Sequence, residues 1–143
     1  MRALTMSNAD QVALADAFAG PARIIVVAFC AAWCDTCNEF RTVYESVAAR
    51  RSDATFVWLD IEDDEECVGD IDVENFPTLA IFRGTDPLHF GVSVPNETTI
   101  VRLIDALASD GSSRLANSVD AVRRLPSRLL DPARGETARS AER

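Results

Sequence analysis

The sequence predicts an α/β fold, a central mixed sheet of four to five strands with helices on both faces. Three observations predict it. Apolar runs rich in β-branched and aromatic residues, Ile24 to Phe29, Thr55 to Leu59 and Leu79 to Phe82, read as buried strands. Segments with apolar residues at helical spacing separate the first two of these runs and close the series. A Cys34-Asp35-Thr36-Cys37 motif lies where the first strand delivers the chain into a helix.

Taken in order, Asn8 or Asp10 is placed to cap a first helix. Val12, Leu14, Ala15 and Phe18 supply its apolar face, and Gly20-Pro21 stops it. The strand from Ile24 to Phe29 follows. Phe40, Val43, Tyr44, Val47 and Ala48 then repeat at helical spacing, predicting a helix from the cysteine motif to about Arg51. Ser52-Asp53 is a turn before the strand Thr55 to Leu59.

The acid run Asp60 to Glu66 reads as a solvated loop and the first turn of a short helix, where carboxylates suit the helix dipole; the other reading is a docking patch for a basic partner. Phe76-Pro77-Thr78 leads into the strand Leu79 to Phe82. Arg83 to Pro87 is a hairpin-type turn into a strand Leu88 to Val94. Pro95-Asn96-Glu97 opens a last core helix with Ile100, Leu103, Ile104 and Leu107 facing inward. Strands separated by helices pair in parallel with right-handed crossovers, and the final hairpin adds antiparallel neighbours.

Charge divides the chain. Residues 1–107 carry 7 Arg and 18 acidic residues; residues 108–143 carry 7 Arg and 5 acidic residues. The expected organisation is a domain over 1–107 and an Arg-rich tail over 108–143. Leu115, Val119, Val122 and Leu125 space one short amphipathic helix ending near Pro126, and the chain after Leu130 lacks any apolar period, as disordered segments do. This tail helix packs on its own domain or binds a partner.

The net charge is −9, which disfavours nucleic acid and anionic membrane surfaces. No apolar run approaches the ~20 residues of a membrane span, and the first residues show no signal core. The expectation is a soluble, cytoplasmic protein with no cofactor. Four cysteines are far too few for a disulfide scaffold.

The cysteine motif carries the chemistry. Residues i and i+3 on a helix are neighbours, so two sulfurs at Cys34 and Cys37 can bond with little backbone movement. Cys34, at the helix start, lies beside unpaired backbone N–H groups and the positive end of the dipole, both favourable to negative charge. Cys37, one turn in, is expected to be more buried. Cys34 therefore attacks and Cys37 resolves, while Cys30 and Cys67 stay thiols. A zinc half-site is the competing reading; zinc takes about four ligands, and Cys30, Cys67 and His89 are widely spaced with no second C-x-x-C.

At this point residues 8–107 resemble the thioredoxin superfamily. The resemblance rests on Phe29, Ala31 and Trp33-Cys34-x-x-Cys37 after a buried strand, on Phe76-Pro77-Thr78, and on Gly91 before the last helix. It implies a cis-proline at Pro77 lying against a Cys34–Cys37 disulfide, and a client-docking rim of Trp33, Val73, Phe76 and Gly91. It also implies client protein disulfides and a thioredoxin-reductase-type electron donor as partners. Three departures stand out. Typical thioredoxins carry Gly-Pro where this chain has Asp35-Thr36, a buried Asp where it has Ala28, and a Lys where it has Trp58.

The function expected is thiol–disulfide exchange, in the direction of reduction. No cation or histidine lies in the motif to stabilise the thiolate, and Asp35 opposes it, so the pair is not expected to be a strong oxidant. A partner-binding module with slow or vestigial redox activity is the second reading, and a metal or redox sensor the third.

Overall fold

The sheet is built outward from β2 (Ile24–Cys30), whose residues are all buried. On one side it pairs in parallel with β3 (Ala54–Asp60), and on the other antiparallel with β4 (Thr78–Arg83). β1 (Leu4–Thr5) adds a short parallel edge beyond β3, and β5 (Asp86–Val92) an antiparallel edge beyond β4, giving the order β1-β3-β2-β4-β5. This computed structural model describes residues 3–5, 11–20, 23–69, 71, 73–109 and 120–130.

The expected mixed sheet is therefore present, with five strands. β1 has too few residues to show any periodicity. The β4–β5 turn is Gly84-Thr85, with Gly84 at φ 59°, a left-handed conformation glycine adopts freely.

Alternation along β2 sends successive side chains to opposite faces. Ile24, Val26, Ala28 and Cys30 join one core cluster with α2 (Asp35–Arg50) and α4 (Glu97–Ser109), through Phe40, Tyr44, Ile100 and Ile104 among others. Ile25, Val27 and Phe29 face a second cluster. It is closed by α1 (Gln11–Ala19), α3 (Glu65–Val68), α5 (Asp120–Arg123) and α6 (Leu125–Leu130). Helices cover both faces.

Tyr44 fastens α2 to the sheet. Its ring is fully buried, and its hydroxyl lies 2.8 Å from the carbonyl oxygens of both Val26 and Val57, on neighbouring strands.

Beyond residue 107, α5 and α6 pack on their own domain, the first of the two readings of the tail helix. Val122, Leu125 and Leu129 have no exposed surface and complete the second cluster. Pro126 lies inside the first turn of α6 instead of ending a helix. At that position its missing N–H would have had no intrahelical acceptor. Leu115, Val119, residues 131–143 and the capping candidates Asn8 and Asp10 lie outside the described residues.

Candidate functional site

The site forms where β2 ends and α2 begins. β2 runs one residue beyond the expected strand, to Cys30. The Ala31–Cys34 connection is held from two sides: Cys34 N–H donates to the Ala31 carbonyl at 3.0 Å, and Ala32 N–H donates to the Asp60 carboxylate at 2.8 Å. Cys34 is the N-cap of α2, with extended backbone, and its carbonyl accepts the first helical bond from Asn38 N–H at 3.1 Å.

Asp60 does more than solvate a loop. Its other carboxylate oxygen accepts from Glu62 N–H at 2.8 Å and Asp63 N–H at 3.0 Å. Asp64 accepts in turn from Asp60 N–H at 2.9 Å. Two members of the acid run therefore serve as backbone acceptors, and one of them pins the cysteine loop. Burial raises the Asp64 carboxyl above its usual range.

The sulfurs are paired differently from the expectation. Cys37 is bonded to Cys30, with Cα atoms 5.7 Å apart, and Cys34 is a free, half-buried thiol. The expectation that Cys30 stays a thiol while Cys34 and Cys37 pair is corrected. The reason is strand alternation: Cys30 projects on the same face as Ala28, under α2, where Cys37 points inward. Both are essentially without exposed surface. Extending period-two alternation one residue past Phe29 would have found it.

Cys67 is a buried thiol elsewhere, donating to the Arg128 carbonyl of α6 at 3.8 Å. Burial, with Asp64 and Glu66 nearby, pushes it up to about 12. Among the described residues, no three His, Cys, Asp or Glu side chains converge as a metal site requires.

Trp33 is 65% exposed and meets Phe76 edge to face, ring centroids 5.6 Å apart. The Phe76–Pro77 peptide is cis, and the Pro77 carbonyl accepts from Ser93 N–H at 2.9 Å. Phe76 and Cys34 pack against the same core cluster. Gly91, opposite Leu79 in the β4–β5 ladder, lines a shallow groove of about 280 Å³ with Glu74, Asn75, Thr78, Phe90 and Val92. Val73 packs instead against the second core cluster, on the other face. The structure thus joins Trp33 directly to Phe76, gives Gly91 a neighbouring groove, and turns Val73 inward. Asp35 and Thr36 are exposed in the first turn of α2.

Ala28 and Trp58 face each other across the β2–β3 ladder. Trp58 stacks near Phe40 and Tyr44, and the Arg41 guanidinium lies 4.8 Å over its ring. Its edge also lines a cavity of about 340 Å³ that reaches Ala31, Asn38 and Asp60.

A family model described as Thioredoxin matches residues 6–106. Thioredoxin H2-1 of Oryza sativa subsp. japonica is 28% identical over 107 residues, 75% of this chain and 77% of that protein. Thioredoxin of Ophiophagus hannah is 27% identical over 67 residues, 47% of this chain and 64% of its own length. Among solved structures, Fasciola hepatica thioredoxin superposes with a TM-score of 0.59 at 24% identity, covering 74% of this chain and 98% of that one. A chain of the ferredoxin:thioredoxin reductase–thioredoxin f2 complex gives 0.58 at 18% identity, over 67% and 87%. At such identities the structural likeness establishes the fold.

Proposed function

This chain belongs to the thioredoxin family, and on that premise we propose that it reduces protein disulfides by thiol–disulfide exchange. The observation that carries the reading is the free Cys34 thiol at the N-cap of α2, beside the Trp33–Phe76 aromatic pair and one helical turn from the buried Cys37.

In the reduced protein the Cys34 thiolate attacks one sulfur of a client disulfide, forming a mixed disulfide and releasing one client thiolate. Cys37 then attacks the Cys34 sulfur, forming Cys34–Cys37 and releasing the second client thiol. Trp33, Phe76, Pro77 and the Gly91 groove seat the client. An electron donor of the thioredoxin-reductase type restores the dithiol; a thioredoxin-fold chain in complex with ferredoxin:thioredoxin reductase supports that class of partner. Asp35 beside Cys34, with no cation in the motif, supports reduction over oxidation. A cytoplasmic, reducing setting suits the cycle.

The experiment is insulin disulfide reduction with dithiothreitol as donor. Wild type is expected to turn over and Cys34→Ser to be inactive. Cys37→Ser is expected to accumulate covalent adducts on Cys34. A folded wild-type protein without turnover overturns the reading and favours a partner-binding module. The observation favouring that alternative is the apolar, buried Ala28–Trp58 pair, at positions where the family resemblance implies an Asp and a Lys.

A further inference from the structure

The Cys30–Cys37 disulfide brings a third sulfur to the pair on which the proposed function rests. Cys30 ends β2 on the face bearing Val26 and Ala28; Cys37 lies on the face of α2 bearing Phe40 and Tyr44. Cys37 thus has two sulfur partners. Cys34 is three residues back along the helix, a neighbouring position on its surface. Cys30 lies beneath it, at a Cα separation of 5.7 Å, inside the ~4.4–6.8 Å that disulfides span.

We propose that Cys30 is a third redox-active cysteine, which takes the Cys37 sulfur from Cys34 and leaves Cys34 as a free thiol in the oxidised protein. The inference rests on the reductase reading for its oxidant, the client disulfide. Client reduction leaves Cys34–Cys37. The Cys30 thiolate then attacks the Cys37 sulfur; the new Cys30–Cys37 bond forms, the Cys34–Cys37 bond breaks, and Cys34 leaves as a thiolate. The proton lost by Cys30 is balanced by the one Cys34 takes up, and no net oxidation occurs in this step.

The arrangement has a functional consequence. Both ends of the Cys30–Cys37 bond are shielded from solvent, with Cys30 1% and Cys37 0% exposed. Exchange depends on access to a sulfur, so outside thiols reach this bond through Cys34. While the bond stands, Cys34 can attack a second client disulfide, but Cys37 is not available to resolve the adduct. The oxidised protein holds that client covalently. Attack of Cys34 on Cys37 expels the Cys30 thiolate and returns the disulfide to the surface for the electron donor. A redox-cycling reductase is thereby also a client trap when its donor is scarce.

The test oxidises the full-length reduced protein with stoichiometric diamide and quenches it in acid. Free thiols are then blocked with N-ethylmaleimide, and disulfide cysteines are reduced and labelled with iodoacetamide. All three cysteines fall between Arg23 and Arg41 with no basic residue among them, so labels are assigned from fragment ions of one tryptic peptide. The expected pattern is maleimide on Cys34 and iodoacetamide on Cys30 and Cys37. Maleimide on Cys30, or on all three, overturns the proposal. In Cys30→Ala, diamide is expected to leave iodoacetamide on both Cys34 and Cys37, and maleimide on Cys34 there would count against it.

A second measurement mixes reduced protein with excess insulin and no donor. In wild type, Cys34 is expected to end in a covalent adduct with a second insulin, and in Cys30→Ala to end in Cys34–Cys37 with no adduct; equal behaviour overturns the transfer step. If insulin is never reduced, the reductase reading fails while the diamide labels still decide Cys30.

Discussion

Ala28 on β2 and Trp58 on β3 are register partners in the parallel ladder, and both belong to the core cluster beneath the cysteine motif. Ala28 cannot accept a proton, and Trp58 fills its space with a ring wedged beside Phe40 and Tyr44. Cys37 must lose a proton to attack a mixed disulfide. General base assistance to such a step is typically worth ~10²–10⁴-fold. In the fully reduced protein the Cys34 mixed disulfide is therefore expected to resolve slowly. Ala28→Asp with Trp58→Lys is expected to speed resolution and to lower stability, through buried charge and the loss of a large side chain. Rapid mixing with a fluorescent mixed-disulfide peptide checks it; equal resolving rates in the two proteins would show that the missing carboxylate is irrelevant.

Asp60 gives a second expectation. One of its carboxylate oxygens accepts from Ala32 N–H in the motif loop, and the other from Glu62 and Asp63. Asp60→Asn replaces an acceptor with an NH₂ group that cannot accept from a backbone N–H. Asp60→Asn is expected to loosen the Ala31–Cys34 loop at a cost of about 0.5–1.5 kcal/mol, the net worth of a hydrogen bond whose donor water can still reach. Amide hydrogen exchange at Ala32 and Cys34 should quicken well before exchange in β2 does. Unchanged protection of these two amides would remove Asp60 from its bracing role.

Alkaline pH provides a third. Burial raises Tyr44 well above its usual range and takes Cys67 up to about 12. Both groups hold their proton more tightly folded than unfolded. The unfolded chain therefore binds fewer protons above the ordinary values of ~8.5 for Cys and ~10 for Tyr, and stability falls as pH rises from there. Tm is expected to be level through neutral pH and to drop steadily above about pH 9. Cys67→Ala should flatten the first part of that drop. Tyr44→Phe, which leaves the Val26 and Val57 carbonyls without its hydroxyl, should lower Tm at all pH values and flatten the later part. Parallel curves for wild type and Cys67→Ala would refute the first assignment.

How much of the molecule is legible in its sequence depends on how local each signal is. Ile24 to Phe29 and Thr55 to Leu59 read as strands, because short β-branched runs bounded by turns fit a buried strand better than a helix. Phe40, Tyr44, Val47 and Ala48 mark α2 by spacing alone, and all four are buried in it. β1 is invisible, since Leu4–Thr5 is a strand only because β3 lies beside it. The bracing role of Asp60 is hidden for a similar reason: in sequence it is one acid among several, and only the fold brings Ala32 N–H to it. Cys30 lies within reach of sequence reasoning. The helical i, i+3 relation singles out Cys34 and Cys37, and only the strand-to-helix relation brings Cys30 to the same place.

The region beyond residue 107 shows the limit of charge as a boundary marker. Arginine is plentiful there, yet arginine on an outer face says nothing about what the inner face buries. Val122, Leu125 and Leu129 insert beside Leu14, Phe18 and Phe82, and burying an aliphatic side chain of this size contributes about 1.5–3 kcal/mol. Three of them amount to a large part of the ~5–15 kcal/mol that stabilises an ordinary domain. Removing residues 109–143 is therefore expected to strip the second cluster of its cover and leave a chain that unfolds at low denaturant and binds an apolar dye. Leu125→Ala in the full chain should cost ~2–5 kcal/mol, as a cavity in a packed core does, and should lower the urea midpoint with little change in slope. Loss of the whole segment without a shift in that midpoint would show that α5 and α6 rest on the domain without supporting it.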